Sequence, residues 1–372
     1  MTPSGQDNRI PVTVLGATGV VGQRFVRRLA GHPWFRIEHL AASERSVGQR
    51  YADACAWRLQ GEPYGGLRDL EVRACDPAVA PAPIVFSALD TGPAKEIEPE
   101  FAKAGAFVFS NASAFRMAAD VPLLVPEVCA EHLELLDVQR ASRGWSGGVV
   151  TNPNCTSTVL VMALAPLHAA FGVEKVFVAT MQAVSGAGYP GVPSLDALSN
   201  VVPYISGEEE KVESETQKML GTLQLSGDRR TGKVVPAPAQ VSAMCHRVPV
   251  IDGHTEAVSV QLKGNPAPED VMEAMRTWKA VPQELGLPSA PATPILLHDD
   301  PTRPQPRLDV ESGTGAAQGM AVHVGRVRRC PMLGIKFTVL GHNTERGAAG
   351  ASVLNAELAY AQGRFHGTGN SR

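Results

Sequence analysis

Three glycines spaced three apart, Gly16, Gly19 and Gly22, stand directly behind the apolar segment 10–15 (IPVTVL). They lead into 20–30 (VVGQRFVRRLA), where Phe25, Val26 and Leu29 recur at helical spacing. A buried strand, a tight turn that glycine makes at no steric cost, and a helix with unpaired N–H groups at its start form a phosphate cradle. An ordinary glycine-rich turn satisfies the same local pattern, so the rest of the chain has to decide.

Further strand-like segments follow at 36–42, 83–89 and 106–110, with a helical stretch at 93–104. This rhythm predicts a doubly wound parallel sheet over residues 1–154, a Rossmann-type dinucleotide-binding domain. Residues 141–154 read as a loop-rich bridge into an apolar helix at 156–171. Beyond it the pattern changes. Strands are predicted at 173–184, 241–250, 254–263, 318–329 and 333–340, with helices near 208–220 and 268–279. Ile251-Asp252-Gly253 carries an Asp-Gly turn signal, which predicts that 241–250 and 254–263 form a hairpin. The second domain, 155–343, is therefore expected to be α+β with a mixed, largely antiparallel sheet. The Pro-rich stretch 288–306 reads as a long loop. A final helix, from about 346 to 361 within 344–372, is expected to return to the first domain.

Bulk properties exclude several classes. The chain of 372 residues is 44% hydrophobic and 19% charged with a formal net charge of -3, so it can build a large core and carries no basic surplus for nucleic acid or an anionic membrane. No run of about 18 apolar residues predicts a membrane span. The opening MTPSGQDNRI lacks a basic segment followed by an apolar one, so no signal peptide is expected. Six scattered cysteines without a C-x-x-C pair fit a reduced cytoplasmic protein without a structural metal site.

The turn after the second strand, Ser43-Glu44-Arg45-Ser46, decides between cofactors. Hydroxyls and a guanidinium suit the 2′-phosphate of NADP, whereas Glu44 alone would suit the ribose of NAD. NADP is the reading adopted; a plain solvated turn is the alternative. Gly16, Thr18, Gly19, Val20 and Gly22 would hold the pyrophosphate.

Cys155, in Thr151-Asn152-Pro153-Asn154-Cys155-Thr156, directly precedes the apolar helix. A thiol there meets the helix dipole and unpaired N–H groups, which favour thiolate and would also stabilise an oxyanion. Beside a dinucleotide fold, this suggests hydride exchange at a cysteine thioester. The other five cysteines read as small hydrophobes.

Seven motifs then occur in order: GATGVVGQRFV, SNASAFR, NPNCT, QAVSGAG, GEEEK, RVPVIDGH and HNTERGAAG. Over residues 10 to about 360 the chain resembles the aspartate-β-semialdehyde dehydrogenases, in their archaeal and fungal branch. The resemblance implies reversible, NADP-dependent reduction of β-aspartyl phosphate to aspartate semialdehyde through a thioester on Cys155. It further implies that His254 is the general acid/base, that Gln182 orients the acyl group, and that Arg247 clamps the substrate carboxylate. Glu208 and Lys211 would hold the substrate amino group and phosphate, with Arg116 and Asn111 completing the phosphate site. Ser87, Gly186 and Asn343 would contact the cofactor. The second domain would serve catalysis and dimerisation, and the protein would be a homodimer or homotetramer acting on small molecules.

Two features depart from the family. Cys129, not asparagine, follows Pro126-Glu127-Val128, and the 288–306 segment is idiosyncratic. Alternative readings are a malonyl-CoA reductase with the same thioester chemistry, against which Glu208 argues, and a non-catalytic NADP-binding protein, against which Cys155 and His254 argue. N-acetyl-γ-glutamyl-phosphate reductase fits the Asn-Pro-Asn-Cys setting poorly.

Overall fold

A computed structural model describes residues 7–365; the part of the expected terminal helix beyond 365 lies outside them. Ile10–Leu15 (β1), Phe35–Ala42 (β2), Val72–Ala74 (β3), Ile84–Ser87 (β4), Phe107–Ser110 (β5) and Gly148–Thr151 (β6) form one sheet. Its order is β3-β2-β1-β4-β5-β6, and every pair in it is parallel. Helix Val20–Leu29 (α1) buries Phe25, Val26 and Leu29, as the spacing predicts. Helix Thr91–Lys103 (α2) crosses from β4 to β5. The order reverses between β1 and β4, and such a switch point opens a ligand crevice at the carboxyl ends of the strands.

Gly16 sits there with φ +71°, where a Cβ would lie 2.7 Å from the Ala88 carbonyl oxygen. A Cβ on Gly22 would lie 2.2 Å from the Gly16 carbonyl oxygen. Both glycines are required by close approach. The bridge 141–154 differs from expectation. It contains the end of helix Leu135–Arg143 (α3) and all of β6, where only Val149 and Val150 are apolar between Gly148 and the Asn-Pro-Asn turn.

The second sheet has the order β10-β7-β11-β14-β13-β12, from Val173–Gln182 (β7), Gln240–Arg247 (β10), His254–Leu262 (β11), Ile295–His298 (β12), Val322–Cys330 (β13) and Gly334–Gly341 (β14). It is mixed: three pairs are antiparallel, while β10–β7 and β12–β13 are parallel. Three expectations fail here. β10 and β11 do not form a hairpin, because β7 lies between them and pairs with both. Residues 248–253 instead cross the end of β7, where the Val248 N–H donates to the Gln182 carbonyl and the Val184 N–H to that of Val250. Within the predicted 288–306 loop, Ile295–His298 pairs with β13 as an edge strand. The strand expected from 318 begins at Val322. A small hairpin, Thr222–Leu225 (β8) with Gly232–Val235 (β9), stands apart.

Helix Cys155–Phe171 (α4) is buried along most of its length and packs on the inner face of this sheet with helices Glu208–Met219 (α5) and Pro268–Arg276 (α6). The outer face leaves Phe177, Met181 and Met244 exposed. After β14 the chain makes a π-helical turn at Glu345–Ala349 and then helix Gly350–Ala361 (α7), which packs against α1, β4 and β5. Arg346 in that turn makes a fully buried fork to Glu127 at 2.8 and 2.6 Å. Glu345, equally enclosed, accepts from Arg24, Arg27 and Arg28 of α1. No helix among the described residues is long and apolar enough to cross a membrane, and all six cysteines are free.

Candidate active site

The first sheet delivers its last strand, β6, straight into the start of α4, and Cys155 is the first residue of that helix. Asn154 caps it. Its Oδ1 accepts from the N–H groups of Thr156 (2.9 Å) and Ser157 (3.2 Å), the expected work of an asparagine cap. Its Nδ2 donates to Glu208 Oε1 at 2.8 Å, which draws the start of α5 against the nucleophile.

The second sheet supplies the other side. Inward-facing residues at its edge form a row: Arg247 on β10 opposite Gln182 on β7, then His254 opposite Gly341 on β14. His254 Nε2 lies 3.2 Å from Cys155 Sγ. Its Nδ1 accepts the Ala183 N–H at 3.1 Å, so the proton of the neutral ring resides on Nε2, facing the sulfur. Gly186 closes over the pair: a Cβ there would sit 2.9 Å from an Arg247 nitrogen and 3.3 Å from His254 Nε2. Arg247 is 7% exposed, donates to the Ala183 carbonyl at 2.8 Å, and has no acidic partner among the described residues. A buried guanidinium without a counter-charge is poised for an anion from outside.

Burial and then the Glu208 carboxylate push the Cys155 thiol up to about 12, while Arg116 and Arg247 pull the other way. Burial, reinforced by Arg247 and His342, drops the His254 imidazole to about 3. The resting pair is therefore a neutral thiol beside a neutral ring. Burial thus opposes the thiolate that the helix start alone would favour.

The remaining expected residues fall into two groups. Arg116 lies near the nucleophile, donating to Glu215 at 3.1 Å and to the Asn111 carbonyl at 2.8 Å, with its Nε buried and unpartnered. Asn111 donates to the Ser87 carbonyl and accepts from Asn152. Lys211 is half-exposed, 3.8 Å from Glu208. Asn343 is engaged at both ends, accepting the Gly253 N–H and donating to Ser185, so it braces the turn before His254. The Ser87 hydroxyl is fully buried without a partner.

Farther along the crevice lie the glycine turn, with Thr18 and Val20, and the turn after β2, where Ser43 and Arg45 are exposed. Ser46 ends that turn. Gly19, at the α1 N-cap, offers no side chain to the first-turn N–H groups. The enforced glycines and this open helix start fit a dinucleotide.

Two neighbours of the nucleophile were not anticipated. Glu215, buried on α5, accepts the Asn154 N–H at 2.5 Å while its other oxygen holds Arg116. Gly347, in the π-helical turn, leaves no room for a side chain, since a Cβ would lie 2.6 Å from that of Cys155. The Arg-Gly of HNTERGAAG was the available signal for Gly347; Glu215 gave none, being one of several glutamates in a polar helix.

Comparison with known proteins gives a consistent picture. Residues 11–136 match the model described as "Semialdehyde dehydrogenase, NAD binding domain", and 164–346 match "Semialdehyde dehydrogenase, dimerisation domain". The chain is 52% identical over 350 residues to an aspartate-semialdehyde dehydrogenase of Archaeoglobus fulgidus, covering 94% of this chain and 98% of that one. It is 47% identical over 371 residues to that of Cryptococcus neoformans, covering 98% and 99%. Among solved structures, aspartate semialdehyde dehydrogenase with NADP from Candida albicans superposes with a TM-score of 0.86 at 41% identity, covering 95% of this chain and 99% of that one.

Proposed function

The chain belongs to the aspartate-semialdehyde dehydrogenase family, and we propose that it catalyses the reversible, NADP-dependent reductive dephosphorylation of β-aspartyl phosphate to aspartate semialdehyde. The observation that carries this reading is the 3.2 Å approach of His254 Nε2 to Cys155 Sγ, ringed by an uncompensated Arg247 and a carboxylate, Glu208. That charge pattern matches a substrate with a carboxylate and an ammonium group.

Having released its proton to solvent, Cys155 attacks the acyl carbon as thiolate; the bond from acyl carbon to phosphate oxygen breaks and phosphate departs toward Arg116 and Lys211, leaving a thioester. Gln182 and the His254 Nε2–H then donate to the carbonyl oxygen as it gains charge. Gly16, Thr18, Gly19, Val20 and Gly22 would hold a dinucleotide, with Ser43, Arg45 and Ser46 at its 2′-phosphate and Ser87 and Gly186 around its other end; it would supply hydride to the acyl carbon, and collapse of the resulting thiohemiacetal expels the Cys155 thiolate and frees the aldehyde. Because the Ala183 N–H occupies His254 Nδ1, the ring serves as an N–H donor to the oxyanion, and a full imidazolium forms only if that contact opens. A carboxylate on Arg247 also removes one of the charges that depress the ring.

Residues 1–154 with the returning C-terminal segment from 344 are assigned to the cofactor, and 155–343 to catalysis and self-association. The outer sheet face bearing Phe177, Met181 and Met244 suits a second copy, giving a homodimer or a tetramer built from dimers; the six free cysteines suit the cytoplasm. Changing Phe177 and Met181 together to Asp shifts the sedimenting species to monomer if that face is covered.

The deciding experiment is phosphate-dependent NADP reduction with aspartate semialdehyde, run beside Cys155→Ala. Wild type turns over and the variant loses about 10⁴-fold or more. Activity persisting in the variant removes the thioester mechanism.

A further inference from the structure

Residues 111–121, which follow β5 and carry Arg116, form turns without a strand or a helix. Backbone groups that are buried outside regular structure still need partners. The carbonyls of Arg116, Ala118 and Val121 find theirs in one group, the Lys218 ammonium, which donates to them at 2.7, 2.9 and 3.2 Å. An ammonium has three protons and no acceptor, so these bonds use every donor it has. Lys218 is only 5% exposed, and no carboxylate pairs with it among the described residues. Lysine is rarely enclosed in that way, and burial lowers the ammonium to about 8.

Lys218 lies on α5, three residues beyond Glu215 and ten beyond Glu208, and all three are buried. Glu215 and Lys218 are helical neighbours at that spacing. Glu215 takes the Arg116 guanidinium at 3.1 Å, while Lys218 takes the carbonyl of the same residue. One helix therefore holds both ends of Arg116, and its first residue, Glu208, meets the cap of the nucleophile's helix. The Arg116 Nε–H is left buried and unpartnered, free to donate to an oxyanion.

We propose that Lys218 is a positioning residue for phosphate: by binding the carbonyls of Arg116, Ala118 and Val121 it fixes the turn from which Arg116 reaches the phosphate group. With its protons taken, it acts through Arg116 and not on the substrate. This rests on the phosphate role given to Arg116 above. Methionine at 218 keeps much of the stem but supplies no donor, whereas glutamine keeps two N–H donors without the charge.

The test uses the full chain with Lys218→Met, Lys218→Gln, Arg116→Gln and the double variants that combine Arg116→Gln with each change at 218. Two constants are read: KM for inorganic phosphate in semialdehyde oxidation, and the phosphate concentration that half-protects Cys155 from iodoacetamide with NADP bound. The second needs no turnover. Both are expected to rise about tenfold in Lys218→Met and about threefold in Lys218→Gln, with KM for aspartate semialdehyde within about twofold of wild type. Arg116→Gln raises both about thirtyfold, and adding either change at 218 raises them no further. A semialdehyde KM that climbs in step with phosphate would reveal general damage to the fold. A loss that persists in the Arg116→Gln background would mean that the ammonium acts on phosphate by itself. Either result overturns the proposal, as do unchanged phosphate constants in the Lys218 variants. Should Lys218→Met not fold, Lys218→Gln and its double variant still decide it. If Arg116→Gln leaves both constants unchanged, the role of Arg116 falls and the proposal with it. A wild type that phosphate protects in this pattern without semialdehyde turnover sinks the proposed reaction and leaves the positioning role standing.

Discussion

The two six-stranded sheets solve opposite problems. The first is wholly parallel, so its strand carboxyl ends line up along one edge, where Ser87 ends β4 and Gly16, Ser43, Asn111 and Asn152 directly follow β1, β2, β5 and β6. The second is mixed, so strand starts and ends alternate along its edge, and Arg247 and Gln182 end their strands where His254 begins its own. A parallel edge makes a long trough of turns for an extended ligand. A mixed edge makes a compact row of side chains from strands far apart in sequence. In the proposed reaction one sheet would hold the cofactor, and the other would surround the nucleophile that the first delivers.

If that division is real, damage to each sheet should be separable. The largest expected effect is from Gly22→Val, whose Cβ would meet the Gly16 carbonyl oxygen at 2.2 Å. NADP affinity falls at least about a hundredfold, while iodoacetamide still alkylates Cys155 at the wild-type rate. Equal loss of both would show that the sheets are not independent. Arg45→Ala touches only the far end of the trough and should cost about tenfold in NADP affinity with little change for NAD, since one charge-assisted contact is removed; titration of both cofactors decides it, and equal losses would remove Arg45 from the phosphate. The smallest effect comes from Glu208→Gln. Because the Cys155 thiol is held up near 12, its alkylation should rise steadily with pH across the neutral and mildly alkaline range. Removing the Glu208 charge lowers that value, so alkylation at a fixed pH speeds up several-fold. Slower alkylation would mean that Glu208 supports the thiolate through Asn154 rather than opposing it.

The same contrast governs what the sequence reveals. Parallel strands appear as largely apolar runs, so β1, β2, β4 and β5 were legible, while β6, with only two valines between Gly148 and Thr151, and the three-residue β3 were not. In the second sheet every strand except β12 was visible, yet pairing was misjudged, because the Asp252-Gly253 turn signal is local and the insertion of β7 is not. Arg247 and His254 do share a pocket, although with a strand between them rather than across a hairpin. Cys155 was legible from its place before a helix. Glu215 was not, since its partners, Arg116 and Asn154, lie far away in sequence. Lys218 was hidden in the same way, its acceptors lying far upstream.

The insertion of β7 between β10 and β11 has a bearing on biosynthesis. A nascent chain emerging in order exposes the sulfur at 155 long before residue 254 leaves the ribosome, and the flanking ladder closes only when 334–341 arrives. Pairing of Cys155 with His254 in a closed ladder is thereby postponed until that strand has been made. A truncated product ending before β14 should carry an ordinary thiol, alkylated faster than the buried one of the folded protein, and no dehydrogenase chemistry.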